Sequence, residues 1–262
     1  MTAIHDSSTP PAHGERQPSL SEVVGLVADV DGWMTPGQAS ALRDAAMRCP
    51  PGGRIVEIGS FRGRSTIVLA ASSPPDVEIV AIDPHAGNDR GPQEIEGYGE
   101  AADDDHEVFT ANLARAGVAG RVRHVRAFSD AAHEQVESPI DVLYIDGAHR
   151  YAPALADIRG WGARVAPGGA LLIHDSFSSI GVTLAILRAL VAGRRFRYVG
   201  RSRSLAIYRA DLHDGWARVG NAGRQLAQLP WFVRNVALKV LLACGLGRVM
   251  ERVGRTAPEW PY

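Results

Sequence analysis

Residues 54–66 decide the fold, and they read Arg54-Ile-Val-Glu-Ile-Gly-Ser-Phe-Arg-Gly-Arg-Ser-Thr66. The apolar residues at the start predict a short strand, and Gly59 and Gly63 follow it in a turn. Ser65 then opens a run that predicts a helix. Glycine allows a tight turn and close approach to a ligand, and the start of a helix offers unpaired N–H groups. The stretch therefore predicts a strand, turn and helix that hold a nucleoside-type cofactor.

Two cofactor classes are compatible with such a turn. A dinucleotide site has the pattern Gly-x-Gly-x-x-Gly, which closes on a pyrophosphate. This chain instead has Glu-x-Gly-x-x-x-Gly, and the Glu57 carboxylate would repel a pyrophosphate. A cofactor with a cationic amino acid end fits better. The candidate cofactor-binding residues of the turn are Glu57, Gly59, Ser60, Gly63 and Ser65.

Length and charge limit the remaining possibilities. The 262 residues suffice for one large α/β domain with additions, and the net charge of −1 gives no basic excess for a nucleic-acid partner. The two cysteines, Cys49 and Cys244, have no metal-type spacing, which favours a reducing cytoplasm. Residues 1–18 lack the apolar stretch of a secretory signal and are expected to form a disordered tail.

Strands alternate with helices along the rest of the chain, which predicts an α/β fold with a mostly parallel, doubly wound sheet and a terminal antiparallel hairpin. The carboxyl ends of parallel strands share one edge of a sheet, where ligands bind. Asp83, Asp146 and Asp175 follow predicted strands at that edge. Asp83 is placed to hold the ribose hydroxyls of a cofactor. The expected divisions are N-terminal helices at 19–50, a cofactor-binding domain at 51–210 and a helical extension at 211–262.

A cluster of polar side chains is predicted beside the cofactor. Asp146 and His149 lie on one tight connection, and Asp175 ends the next strand. Carboxylates suit Mg²⁺, with Asp146 and Asp175 as candidate ligands, and His149 is the candidate general base. Asp146 and His149 are thus the candidate catalytic residues, and Asp146 is also a candidate cofactor contact. His174 is expected to be a core residue bonded to backbone, and Asp157 a surface or structural charge.

At Asp-Gly-Ala-His-Arg-Tyr (146–151) and Leu-Leu-Ile-His-Asp-Ser (171–176) the chain resembles metal-dependent O-methyltransferases that use S-adenosylmethionine and have a Rossmann-like fold. The resemblance is closer to the branch that methylates sugar hydroxyls on macrolides and glycolipids than to catechol O-methyltransferases, which have a lysine base where His149 falls. It implies that Phe128 and Ser129 flank the adenine, that Ser176 is a third candidate metal ligand in the place of an asparagine, and that the acceptor is a hydroxyl of a sugar or other polyol. A catechol-type aromatic acceptor, or a non-catalytic cofactor-binding scaffold, stays open.

Two further segments carry expectations. Residues 85–105 are polar and glycine-rich, which is typical of a lid over a substrate. Helices at 212–228 and 230–253 combine apolar and basic residues. That extension is expected to pack on the domain, form a homodimer contact, or lie on a membrane surface through 230–253, which would make a cytoplasmic protein membrane-peripheral.

Overall fold

A computed structural model describes residues 18–86, 98–212 and 215–243. Its centre is a seven-stranded sheet in the order β3-β2-β1-β4-β5-β7-β6. Neighbouring strands among the first five are parallel, whereas β7 is antiparallel to both β5 and β6. The strands are β1 (Arg54–Ile58), β2 (Glu78–Ile82), β3 (Val122–Val125), β4 (Ile140–Ile145), β5 (Val165–Ile173), β6 (Arg197–Ser202) and β7 (Leu205–Arg209). The predicted doubly wound sheet with its antiparallel hairpin is confirmed.

Successive strand residues enter two different cores, because side chains alternate between the faces of a sheet. Ile55 and Ile79 pack in one core with the first four helices, whereas Val56 and Val80 pack in the other with α5, α6 and Trp161. The helices are α1 (Leu20–Leu26), α2 (Pro36–Met47), α3 (Arg64–Ser72), α4 (Tyr98–Arg115), α5 (Tyr151–Gly160), α6 (Ile180–Ile186), α7 (Gly215–Leu226) and α8 (Leu229–Ala243).

Several predicted boundaries differ from the structure. Apolar residues continue at helical spacing to Val30, but helix α1 ends at Leu26, and α6 continues as a π-helical segment, Leu187–Val191. Helix α4 begins at Tyr98, so the second part of the predicted lid is helical. Its polar residues begin a helix because the apolar positions that follow, including Phe109, pack against the sheet. The lid residues 87–97, the N-terminal tail and the end of the predicted second terminal helix lie outside the described residues.

The turn after β1 depends on a close backbone contact. Gly59 has a φ of 88°, and a Cβ placed there would lie 2.3 Å from the carbonyl oxygen of Asp146. The N–H of Asp146 donates to the carbonyl of Ile58 at 2.8 Å. A side chain at position 59 would therefore force apart the ends of β1 and β4. Within the described residues, no helix is both long enough and apolar enough to cross a membrane.

We expect Gly59→Ala to destabilise the fold far more than Gly117→Ala. Gly117 also has a positive φ, of 72°, but no atom outside its chain neighbours lies within 4 Å of the position that a Cβ would take there. The Gly117 variant should lose only the ~1–2 kcal/mol cost of a left-handed residue. The Gly59 variant adds a backbone clash and should lose more than ~4 kcal/mol, the range of severe core disruptions. Urea unfolding measures both, and equal losses would contradict the importance of the close contact.

Candidate active site

A cavity of about 430 Å³ opens at the carboxyl ends of β1, β2 and β4. The turn after β1, the end of β2, the segment after β3 and the loop after β4 form its wall. The sequence-predicted residues in that wall are Gly59, Ser60, Ser65, Asp83, Phe128, Ser129, Asp146 and His149. Most of the predicted site residues therefore line one cavity at the strand ends.

Glu57 lies behind this wall rather than in it. The residue is fully buried, and its two carboxylate oxygens accept hydrogen bonds from the hydroxyls of Ser65 and Thr66 in the first turn of α3. Burial raises the pKa of Glu57 to about 7, although these two hydrogen bonds favour the ionised form. The carboxyl group therefore joins β1 to α3, and the direct ligand contact expected from the sequence stays a prediction. Gly63 is the N-cap residue of α3 and has a φ of 86°.

Asp83 is fixed by backbone on both oxygens. Its Oδ2 accepts from the N–H of Phe61 at 2.8 Å, and its Oδ1 accepts from the N–H of His85 at 2.7 Å. Ser60 is buried beside it, and the Ser60 hydroxyl has no hydrogen-bond partner within the described part of the chain. A buried hydroxyl without a partner is costly unless a ligand satisfies it. Phe128 is 62% exposed and lines the same cavity, so it is not a core residue.

His149 forms a pair with Asp175. Nε2 of His149 lies 2.6 Å from Oδ2 of Asp175, and no side chain caps the start of α5 at Arg150. Burial raises the pKa of Asp175, but the hydrogen bond from His149 and the nearby positive charges outweigh it and hold that pKa well below its usual range. An ionised carboxylate at Nε2 keeps the proton on that nitrogen, so Nδ1 of His149 is left to accept a proton.

Asp146 is held by two other groups. The hydroxyl of Tyr144 donates to its Oδ2 at 2.9 Å, and Nδ1 of His174 lies 3.1 Å from its Oδ1. His174 is thus buried as expected, and Nε2 of its ring lies 3.3 Å from the side-chain nitrogen of Gln38. These contacts orient the Asp146 carboxylate at the cavity wall.

Gln38 determines which nitrogen of His174 carries the proton. Gln38 is fully buried in α2, and its Oε1 accepts from the N–H of Thr35 at 2.7 Å, which fixes the orientation of the amide. Its Nε2 therefore donates, to Nε2 of His174 at 3.3 Å and to the hydroxyl of Ser204 at 3.1 Å. Nε2 of His174 is then an acceptor, so the proton lies on Nδ1, which is 3.1 Å from Oδ1 of Asp146.

The expected metal ligands are not assembled as a set. Ser176 is fully buried, and its hydroxyl donates to the carbonyl of Ile173 at 2.8 Å. Asp175 is engaged by His149, and Asp146 by Tyr144 and His174. Among residues 18–86, 98–212 and 215–243, no group of three or more His, Cys, Asp or Glu side chains is arranged to hold a metal ion.

Two further residues, Asp157 and Trp33, line the cavity. Asp157 is buried and lines the cavity, where its Oδ1 accepts from the hydroxyl of Ser129 at 2.5 Å, and burial raises its pKa to about 6. It is therefore not a surface charge. Trp33 also lines the cavity, with its ring centroid 6.0 Å from that of Phe61.

The region that builds this cavity matches a known domain family. Residues 56–176 match the family model for a methyltransferase domain. This part of the chain, which runs from β1 to just beyond the end of β5, is similar to methyltransferase domains. The match supports the predicted enzyme class, a methyltransferase.

Solved structures have the same fold. An O-methyltransferase from Bacillus cereus, solved in complex with SAH, superposes with a TM-score of 0.52 at 18% identity, covering 73% of this chain and 90% of that chain. The O-methyltransferase NovP superposes with a TM-score of 0.53 at 17% identity, covering 67% of this chain and 80% of its own. At these identities the likeness establishes the fold.

One curated relative matches part of the chain. An uncharacterized protein, y4gI, of Sinorhizobium fredii is 28% identical over 126 residues, which are 47% of this chain. The match spans 13% of the length of that relative. It adds no activity, because the relative is itself uncharacterized.

The buried Glu57 carboxyl predicts a pH-dependent stability. Its pKa is raised from an ordinary 4.5 to about 7, so the folded state binds the proton more tightly than the unfolded state. The stabilisation is complete below pH 4.5 and is lost as the pH rises towards 7. Relative to Glu57→Gln, which stays neutral, the wild type should lose on the order of 3 kcal/mol across this range. Urea unfolding at several pH values measures the difference.

Glu107→Gln, on the exposed surface of α4, is the matched control for replacing a carboxylate. The difference between wild type and the Glu57 variant should change with pH, whereas the control should follow the wild type. Parallel curves for wild type and Glu57→Gln would contradict a raised pKa at this position.

Proposed function

We propose that this protein transfers a methyl group from S-adenosylmethionine to a hydroxyl oxygen, with His149 as the general base. The observation that carries this proposal is the His149–Asp175 pair, 2.6 Å apart, with His149 in the wall of the cavity. An imidazole titrates near working pH, and a carboxylate at its far nitrogen fixes its orientation. The same cavity has the features of a nucleoside site on its other side.

The residues present fit the cofactor. The buried hydroxyl of Ser60, without a partner in the described residues, is a hydrogen-bonding group that a ligand would satisfy. Asp83 would hold the ribose, Phe128 and Ser129 would flank the adenine, and the turn at Gly59 brings backbone close to the ligand. The Bacillus cereus relative was solved with SAH, the product of such a cofactor, which supports this assignment. When bound, S-adenosylmethionine supplies a methyl group on a positively charged sulfur.

The residues of the chain then supply proton transfer and orientation. Nδ1 of His149 accepts the proton of the acceptor hydroxyl, because Nε2 already donates to Asp175. Asp175 stabilises the imidazolium that forms, as a carboxylate paired with a histidine base does. Asp146, oriented by Tyr144 and His174, presents a carboxylate at the wall that would accept a hydrogen bond from a second polar group of the substrates.

Mg²⁺ has no part in this proposed mechanism. The carboxylates that were expected to bind it are paired with imidazoles and a hydroxyl, and the Ser176 hydroxyl is bonded to backbone. A hard cation needs several free oxygen ligands, and these residues do not offer them. We therefore derive no step through a metal ion.

For the acceptor we propose a sugar or another polyol. The Asp146 to His149 turn resembles that of the sugar-modifying branch, and the cavity wall carries several polar side chains that suit a polyhydroxylated substrate. These include Asp130, Asp157 and Arg150. A panel of methyl glycosides, polyols and catechols, assayed for methyl transfer from S-adenosylmethionine, tests the acceptor class. Turnover of catechols alone would contradict the polyol assignment.

On the best acceptor of that panel, we expect His149→Ala to lower kcat by ~10²–10⁴-fold, the usual contribution of a general base. Binding of S-adenosylhomocysteine, measured by calorimetry, should change little, because the base contacts the acceptor. Tyr151→Phe, at an exposed position outside the cavity lining, is the matched control and should keep the wild-type rate. Unchanged turnover in His149→Ala would remove this residue from the mechanism.

The same assay should be run with EDTA and with added MgCl₂. The proposed proton transfer predicts equal rates in both buffers. Loss of activity in EDTA that Mg²⁺ restores would contradict a mechanism without a metal and would return Asp146 and Asp175 to the role of ligands.

A further inference from the structure

Helices α7 and α8 bury amide side chains and expose several large apolar ones, although Trp231 and Phe232 of α8 pack against the core. The buried positions are amides: Asn221, Gln225 and Asn235 are all fully buried. Large apolar side chains lie outside, and they are Trp216 (85% exposed), Val219 (65%), Leu226 (45%), Val233 (63%) and Val240 (55%). A helix normally buries its apolar side against the domain. This arrangement indicates that something apolar contacts the exposed side.

The buried amides are firmly attached to the domain. Asn221 accepts from the N–H of Tyr198 at 2.6 Å and donates to the carbonyl of Phe196 at 3.1 Å. In α8, Asn235 donates to the carbonyl of Phe177 at 3.1 Å, and Lys239 donates to that of Ser178 at 3.0 Å. These bonds fix the rotation of each helix about its own axis.

The apolar side chains lie on the side opposite to these anchors. At 3.6 residues per turn, positions two apart are about 200° apart around a helix. Val219 is therefore opposite Asn221, and Val233 is opposite Asn235. Trp216 and Leu226 lie within one third of a turn of Val219, and Val240 lies close to Val233 by the same geometry. We call the side that bears Trp216, Val219, Leu226, Val233 and Val240 the outer face.

The charge of this segment suits one kind of partner. Residues 215–243 contain Arg218, Arg224, Arg234 and Lys239 and no Asp or Glu, whereas the whole chain has a net charge of −1. Arg224 and Arg234 are exposed. Two copies of such a surface would bring like charges together, which opposes a homodimer through this face. A bilayer with anionic headgroups would bury the apolar side chains among its acyl chains and would bind the basic side chains through its headgroups.

We propose that the outer face of α7 and α8 binds the surface of an anionic lipid bilayer. Exposed Trp216 and the aliphatic side chains enter the boundary between headgroups and acyl chains, and Arg224 and Arg234 contact the headgroups. This contact holds whether or not the proposed methyl transfer takes place, because it uses none of the cavity residues.

Flotation of the full chain with vesicles tests this proposal. The vesicles are phosphatidylcholine alone, and phosphatidylcholine mixed with phosphatidylglycerol. We expect the wild type to float with the anionic vesicles and a combined Trp216→Ser, Val219→Ser and Val233→Ser variant to lose at least about tenfold in bound fraction. A combined Leu184→Ser and Val199→Ser variant, which changes exposed apolar residues elsewhere, should float as the wild type does.

The same flotation assay tests the contribution of the basic side chains. Arg224→Gln with Arg234→Gln should weaken flotation on the anionic vesicles, whereas Arg115→Gln with Arg159→Gln, at exposed positions on other helices, should not. Absence of wild-type flotation, or equal flotation of the outer-face and control variants, would overturn the proposal. Sedimentation velocity gives a third outcome: a wild-type dimer that the serine variant dissociates, without flotation, would overturn it by showing that the face binds a second copy instead.

Discussion

The close contact between Gly59 and the backbone of Asp146 is the constraint on which the site depends. The turn after β1 and the loop after β4 approach so closely that a Cβ at position 59 would overlap the carbonyl of Asp146. Hydrogen bonds from Gly59 to Ile82 (2.9 Å) and from Asp146 to Ile58 (2.8 Å) hold the three strand ends together. The cofactor turn and the polar cluster are therefore one rigid unit, and a movement of either would displace the other.

Buried polar groups behind the cavity orient the groups that face it. Glu57 attaches α3 to β1, Gln38 and His174 orient Asp146, and Asp175 orients His149. A buried polar network stabilises the fold only when each of its donors and acceptors has a hydrogen-bond partner. Gln38 belongs to a helix that precedes residues 56–176, the part that matches the methyltransferase family model, so the N-terminal helices complete the site rather than only cover the sheet.

The sequence predicted those features that depend on local pattern. Alternating strands and helices indicated the sheet, and acids at strand ends indicated Asp83, Asp146 and Asp175 at one edge. The partners of these acids were not predictable, because they come from distant parts of the chain: Gln38 is 136 residues from His174, and Ser129 is 28 residues from Asp157. The pairing of Asp175 with His149, which leaves Asp175 engaged, likewise depends on how β4 and β5 end side by side. The start of α4 was missed because polar residues in its first turns gave no periodic signal.

The central claim is that the cavity at the strand ends binds S-adenosylmethionine next to His149. Calorimetric titration of the wild type and of Asp83→Asn with S-adenosylhomocysteine tests it most directly. We predict micromolar binding to the wild type and binding weakened by about tenfold or more in the variant, because a charged hydrogen-bond acceptor to the ribose is lost. No binding to the folded wild type would contradict this claim.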